Sequence, residues 1–203
     1  GALPPQSDPA RTGLHRPNTG RRGRVAILGG CAQPVPDPSI NAATLRLLNR
    51  LGIEVVFPER ETCCGALVHH MGSKSEALDF ARTNVDVWTA EIEQSGLDAI
   101  IVTTSGCGTT IKDYGHMLRL DPVYAEKAER VSALAKDITE YLVTLDLARL
   151  EPQGLSVAYH SACPLQHGQN VMMAPKALLQ AAGFSRSAER RVGTECRFRR
   201  VAH

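Results

Sequence analysis

Four short apolar runs set the limits on how this chain can fold: Arg24 to Gly29, Ile53 to Phe57, Asp98 to Thr103 and Leu155 to Tyr159. Each is bounded by Gly, Pro or polar turn residues and is too short for an ordinary helix. That is the pattern of strands buried on both faces of a parallel sheet. The intervening stretches carry apolar residues at helical spacing. Ser39 or Asn41 is placed to cap a helix through about Arg50, with Ala42, Leu45, Leu48 and Leu51 on one face and Gly52 as its stop. Ser73 opens a longer helix to about Glu93, with Ala77, Phe80, Ala81, Val85, Trp88 and Ile92 along one side. Further helices are expected over 109–119, 122–134, 136–148 and 174–182. Strand and helix alternate, so the expected fold class is α/β, a mainly parallel sheet flanked by helices.

The cysteines follow the same pattern. Cys31, Cys107 and Cys163 each lie just past a predicted strand, in the loops Gly30-Cys31-Ala32-Gln33-Pro34, Ser105-Gly106-Cys107-Gly108 and His160-Ser161-Ala162-Cys163-Pro164. Cys63-Cys64-Gly65 lies a few residues beyond Phe57. The carboxyl ends of parallel strands are where α/β proteins collect ligands. Adjacent cysteines do not readily bond to each other, because a disulfide wants separated backbones. Both can instead reach one cluster, and Gly65 would let the backbone pass close to an inorganic sulfide. Cys31, Cys63, Cys64 and Cys107 supply the four thiolates that a [4Fe–4S] cluster takes. Bound iron itself favours the deprotonated thiolates it needs.

Other uses of cysteine are weighed against this one. The thiols are also suited to burial as small apolar groups. A structural zinc site ordinarily shows two close cysteine pairs, which are absent. A Cys-x-x-Cys redox motif is absent too. No basic region followed by an apolar core marks a secretory signal at the start, and 203 residues can bury a core without disulfide staples. The chain opens without Met, on a Pro-, Gly- and Arg-rich stretch, 1–23, expected to be a linker following something upstream.

Charge excludes one class of partner. Residues 1–24 and 185–203 each carry a net +4, which leaves −6 for 25–184. The basic residues sit at the ends without interleaved aromatics, so no nucleic-acid surface is expected. No apolar run reaches the roughly 18 residues of a membrane-crossing helix. No Ser/His/Asp arrangement, phosphate-binding loop or dinucleotide fingerprint is present, so no catalytic residue and no flavin site are expected in this chain. His69, His70, His160 and His167 flank the cysteines as neighbours of a site, Trp88 and Tyr114 read as packing residues, and Glu54 and Asp98 as solvated ones.

The sequence also repeats itself. Val25-Ala26-Ile27-Leu28-Gly29-Gly30-Cys31 parallels Val157-Ala158-Tyr159-His160-Ser161-Ala162-Cys163, and each cysteine is followed by a helix ending in Gly, Gly52 or Gly183. The second copy then diverges: Ser185 to Arg191 does not read as a strand, and the tail 185–203 is expected to be disordered or poorly packed, with Cys196 there by coincidence.

From Arg24 to about Phe184 the chain resembles the cysteine-rich (Cys-Cys-Gly) domain family of heterodisulfide reductase, glycerol-3-phosphate dehydrogenase and lactate-utilisation subunits, and in particular the iron–sulfur subunits of bacterial glycolate oxidase. The matching stretches are Gly30 to Pro34, Asn41-Ala42-Ala43-Thr44, Cys63-Cys64-Gly65-Ala66, Thr104-Ser105-Gly106-Cys107-Gly108, Lys112-Asp113-Tyr114-Gly115 and Cys163-Pro164-Leu165-Gln166-His167. The resemblance implies a first cysteine-rich domain over 24–150, bearing Cys31, Cys63, Cys64 and Cys107. It implies the start of a second over 151–184, opened by Cys163, and a missing upstream ferredoxin-like domain. Some members have a Cys where this chain has Thr104, so a four-thiolate cluster is implied rather than a five-thiolate one. It also implies flavin-containing glycolate oxidase subunits as partners and a quinone or other acceptor. The resemblance further implies work in the cytoplasm, at the inner face of the cell membrane through peripheral association of the complex. A related lactate or glycerol-3-phosphate dehydrogenase subunit, or a thiol redox protein, is the alternative.

Overall fold

The computed structural model describes residues 12–145, 147 and 156–186. A five-stranded sheet has the order β1-β3-β2-β4-β5, from β1 (Gly13–His15), β2 (Gly23–Ile27), β3 (Ile53–Phe57), β4 (Ala99–Val102) and β5 (Ala135–Asp137). β2, β3, β4 and β5 run parallel, with Val25 beside Val55 and Ala26 beside Ile100, and β1 runs antiparallel along β3. The expected α/β class is what is found.

Because neighbouring side chains on a strand point to opposite faces, the apolar runs feed two cores. Ala26, Val56, Ile100 and Val102 face α3 (Lys74–Ser95) and α6 (Ala125–Leu134), among Val85, Trp88, Tyr114 and Val131. Val25, Ile27, Val55, Phe57, Ala99 and Ile101 face α1 (Ser39–Arg50) and α7 (Ile138–Leu142), among Leu48, Tyr141 and Leu142. The chain leaves β2 through α1 to β3 on one side, then crosses back through α3 to β4 on the other. The carboxyl end of β2 is therefore a topological switch point, flanked by the loops after β3 and β4.

Several local expectations are corrected. Gly13–His15, inside the stretch expected as linker, is an edge strand, because extended backbone there completes the free edge of β3. Ser39 does not cap α1: Pro38 holds the cap position, and Asp37 Oδ1 accepts from Ser39 N at 3.0 Å. The helix expected over 109–119 is α4 (Ser105–Lys112) and α5 (Tyr114–Met117), broken at Asp113, so Cys107 stands in a first helical turn rather than a loop. The segment expected as helix over 136–148 begins as β5, and α7 starts on a capping box. There Asp137 accepts from Thr139 N at 2.9 Å and Glu140 accepts from Asp137 N at 2.8 Å. Glu54 is buried, not solvated: it faces Arg24 Nε at 3.2 Å, and Arg24 reaches on to Glu91 Oε2 at 2.5 Å, tying β2 and β3 to α3. Asp98 is exposed, yet its carboxylate accepts from Arg24 N at 2.7 Å.

A smaller parallel pair, β6 (Ser156–Val157) and β7 (Ser185–Arg186), brackets a π-helical turn Pro164–Gly168 and α8 (Ala174–Ala181). Strand, cysteine turn, helix, positive-φ glycine and parallel strand recur in the order of β2, Cys31, α1, Gly52 and β3; φ is 82° at Gly52 and 77° at Gly183. Residues 185–186, expected to belong to an unpaired tail, are thus a strand. The rest of that tail, with Cys196, and Leu155 lie outside the described residues. Among the described residues no helix is long and apolar enough to cross a membrane.

Candidate functional site

Three strand-end segments bring four cysteines to the switch point. Cys31 follows β2, Cys63 and Cys64 lie between β3 and α2 (Ala66–His70), and Cys107 sits in the first turn of α4. Their sulfurs form one linked row, because Cys64 is hydrogen-bonded to Cys63 as well as to Cys107. Cys31 Sγ lies 3.3 Å from Cys63 Sγ, and Cys64 donates to Cys107. Cys31 is exposed, Cys63 and Cys107 are half-buried, and Cys64 is buried.

Electrostatics follows the pairing. The hydrogen bond that Cys64 gives to Cys107, together with burial, holds the Cys64 thiol far up, and the same bond lowers Cys107. Burial, followed by the neighbouring Cys63 thiol, raises Cys31. The Gly65 N–H points at Cys63 Sγ at 3.5 Å, the sort of amide donor that steadies a thiolate. Gly65 itself has φ of 81°, and a Cβ there would lie 3.2 Å from the Ala77 carbonyl oxygen. Its backbone is therefore packed against α3.

The loops are held by side chains that the sequence reading treated as packing, as caps or not at all. Asn84 on α3 accepts from Thr62 N at 2.8 Å and donates to the Cys63 carbonyl at 3.0 Å and to Tyr114 Oη at 3.1 Å. Tyr114 donates to the Cys64 carbonyl at 2.8 Å. Asn41, offered as a cap, instead donates to the Gly29 carbonyl at 3.0 Å and meets Thr103 Oγ1 at 3.0 Å, bridging the ends of β2 and β4. Glu61 accepts from Gly29 N through Oε1, while its buried Oε2 has no hydrogen-bond partner, and burial pushes its carboxyl up to about 7. One signal was available for Asn84: a polar residue on the apolar stripe of a helix.

Cys163 is exposed at the start of the π-helical turn, which sits against the Cys107 helix. Thr109 Oγ1 donates to the Pro164 carbonyl at 3.3 Å, and Gln169 Nε2 to the Ser105 carbonyl at 2.8 Å. His69 and His70 line a cleft of about 330 Å³ with Thr109, Lys112 and Met117. His160 and His167 are exposed.

Among the described residues no group of three or more His, Cys, Asp or Glu side chains closes into the shell of one metal ion. The donor set argues instead for a larger guest. It is all sulfur, which suits soft iron–sulfur chemistry, and a polynuclear cluster takes its thiolates at separate corners rather than around one ion.

Fold and site together define a mainly parallel α/β domain whose cysteines gather at the carboxyl edge of the sheet. Residues 25–112 match the CCG cysteine-rich domain. The glycolate oxidase iron–sulfur subunit of Escherichia coli is 43% identical over 171 residues, which cover 84% of this chain and 42% of that protein. The probable glycolate oxidase iron–sulfur subunit of Bacillus subtilis is 33% identical over 163 residues, 78% of this chain and 35% of that one. Lactate utilization protein A of an Exiguobacterium species is 29% identical over 159 residues, 76% of this chain and 62% of the relative. The chain thus spans less than half the length of the two glycolate oxidase subunits.

Proposed function

We propose that this chain is part of an iron–sulfur electron-transfer subunit in a dehydrogenase complex that oxidises glycolate to glyoxylate. Cys31, Cys63, Cys64 and Cys107 hold a [4Fe–4S] cluster in the 24–150 unit, and Cys163 opens the ligand set of a second unit beginning at 151–184. The observation that carries this is the convergence of four thiols from three strand-end segments on one switch point, each in contact with the next. The names of the relatives support it, and a lactate- or glycerol-3-phosphate-oxidising complex is the neighbouring assignment.

When bound, such a cluster supplies one-electron chemistry, relaying singly the two electrons that glycolate oxidation releases. The substrate bond is broken on a flavin-bearing partner subunit, and the electrons leave toward a quinone. The work is placed in the cytoplasm, at the inner membrane face through the complex. The chain's own part is to present thiolates, supply the Gly65 amide to Cys63, and keep Cys64 out of water. Loading requires Cys31 and Cys63 to part from their 3.3 Å contact.

Anaerobic reconstitution with ferrous iron and sulfide should give about four irons per chain and a low-temperature EPR signal on reduction. Cys→Ser at position 31, 63, 64 or 107 should lower the iron by more than half, and Cys163→Ser should not. Iron uptake that none of the four changes alters would sink the reading. The 3.3 Å approach of Cys31 and Cys63 favours a second reading, a thiol redox protein. In that case the iron-free chain would reduce a small disulfide as Cys31 and Cys63 are oxidised to a disulfide, and would turn over when an added dithiol reduces that bond again, which the first reading does not require.

A further inference from the structure

The turn that carries the adjacent cysteines has no ladder or helix of its own to fix it. Between β3 and α2, residues 58–65 join no strand ladder and are tied to the end of β2 only ahead of the cysteines, through Glu61 and Gly29 N, yet two thiols must leave consecutive residues at defined angles. What fixes them comes from two helices distant in sequence. Asn84 and Tyr114 are both fully buried, stand on α3 and α5, and bond to each other at 3.1 Å. Between them they hold three successive backbone groups: Thr62 N, the Cys63 carbonyl and the Cys64 carbonyl, at 2.8, 3.0 and 2.8 Å. Every polar atom of the pair is used. The Asn84 oxygen accepts from Thr62, its nitrogen donates twice, and the Tyr114 hydroxyl accepts from Asn84 and donates to Cys64. The Tyr114 ring is stacked on Trp88, with centroids 6.4 Å apart and planes 25° apart, so the hydroxyl cannot wander.

A buried network that is fully satisfied is rigid, and one broken bond leaves a desolvated partner. Packing alone does not explain this arrangement, because a Leu and a Phe would fill the same space without addressing any cysteine backbone.

We propose that Asn84 and Tyr114 are positioning residues for the Cys63-Cys64 pair, clamping its two carbonyls so that both thiols leave the turn toward Cys31 and Cys107. The cluster-dependent part of this claim rests on the iron–sulfur reading above. The clamp itself does not.

The test uses the full chain with Tyr114→Phe, which keeps the ring and removes the donor to Cys64, and Asn84→Leu, which removes every bond that Asn84 makes. Val131→Ala is the control: it loosens the same core and touches no cysteine backbone. The first readout is the alkylation rate of Cys64 by iodoacetamide in the cluster-free chain, followed by peptide mass spectrometry, with thermal melting alongside. Tyr114→Phe should raise that rate about tenfold relative to Val131→Ala at matched stability, and Asn84→Leu more. Asn84→Gln, which retains oxygen and nitrogen, should recover part of the protection. The second readout is the EPR line shape and midpoint potential of the reconstituted chain, which should move in Tyr114→Phe and not in Val131→Ala. If the wild-type chain takes up no cluster, the iron–sulfur reading fails while the alkylation arm still decides the clamp. Should Asn84→Leu not fold, Tyr114→Phe carries the decision. Cys64 protection in Tyr114→Phe equal to that in Val131→Ala overturns the proposal, whatever the cluster does.

Discussion

Single side chains at this site work against burial, and Glu61 shows the cost most directly. Its carboxyl is raised from 4.5 to about 7, first by burial, against the opposing bond from Gly29 N. Between those two values the folded cluster-free chain holds a proton that the unfolded chain has lost. Folding is therefore linked to proton binding there, and stability falls as pH rises from about 4.5 through 7, then levels. The loss is on the order of 3 kcal/mol at about 1.4 kcal/mol per unit. Glu61→Gln keeps an acceptor for Gly29 N without a charge to bury. Melting of reduced, cluster-free protein between pH 5 and pH 8 should show a fall in wild type minus Glu61→Gln stability as pH rises. A flat difference would mean that Glu61 is solvated. Asn84 and Tyr114 differ in kind, because their polar atoms are all paired and they do not titrate in this range.

Elements bring those residues to the site, and two predictions belong at this scale. Helix α3 packs its Gly65-facing side so closely that a methyl at residue 65 would meet the Ala77 carbonyl at 3.2 Å, in a backbone conformation with φ of 81°. Gly65→Ala should lower stability by about 1–3 kcal/mol in urea unfolding, and an unchanged midpoint would contradict the close packing. Further along the same helix, Trp88 is fully buried between the sheet and Tyr114. Trp88→Ala should cost roughly 3–5 kcal/mol by opening a cavity, and because it removes the ring on which Tyr114 rests, Cys64 alkylation should rise too. The legible elements were those whose signal is local. Ile53–Phe57 is a strand with the expected bounds because four of its five residues are apolar and all five are buried there. β5 was not legible: Ala-Lys-Asp has no strand pattern, and it is extended only because β4 offers an open edge. β1 is the same case at the opposite edge, beside β3. The Asp137 capping box was readable as a helix start and would have moved that boundary to the right place.

At the scale of the molecule, two strand–helix–strand units meet through α4. The second unit is seated by few bonds, chiefly Gln169 to the Ser105 carbonyl and Thr109 to the Pro164 carbonyl, with Leu178 against the far core. Gln169→Ala should cost about 1 kcal/mol. It should speed amide hydrogen exchange over 156–186 while leaving β2 and β4 protected. If exchange rises equally throughout, the two units unfold as one.

By itself the sequence determined the central strands β2, β3 and β4 and the long helices between them, that a cysteine follows each of three strands, and that a chain so patterned forms a mainly parallel α/β sheet. Those follow from periodicity and from burial, which near neighbours impose on one another. Only the tertiary structure decided that Cys31 meets Cys63 and Cys64 meets Cys107, and that Glu61, Asn41, Asn84 and Tyr114 hold their loops. The reason is strand order. With β2 between β3 and β4, loops dozens of residues apart in the chain become neighbours, and no local pattern records which loop will face which.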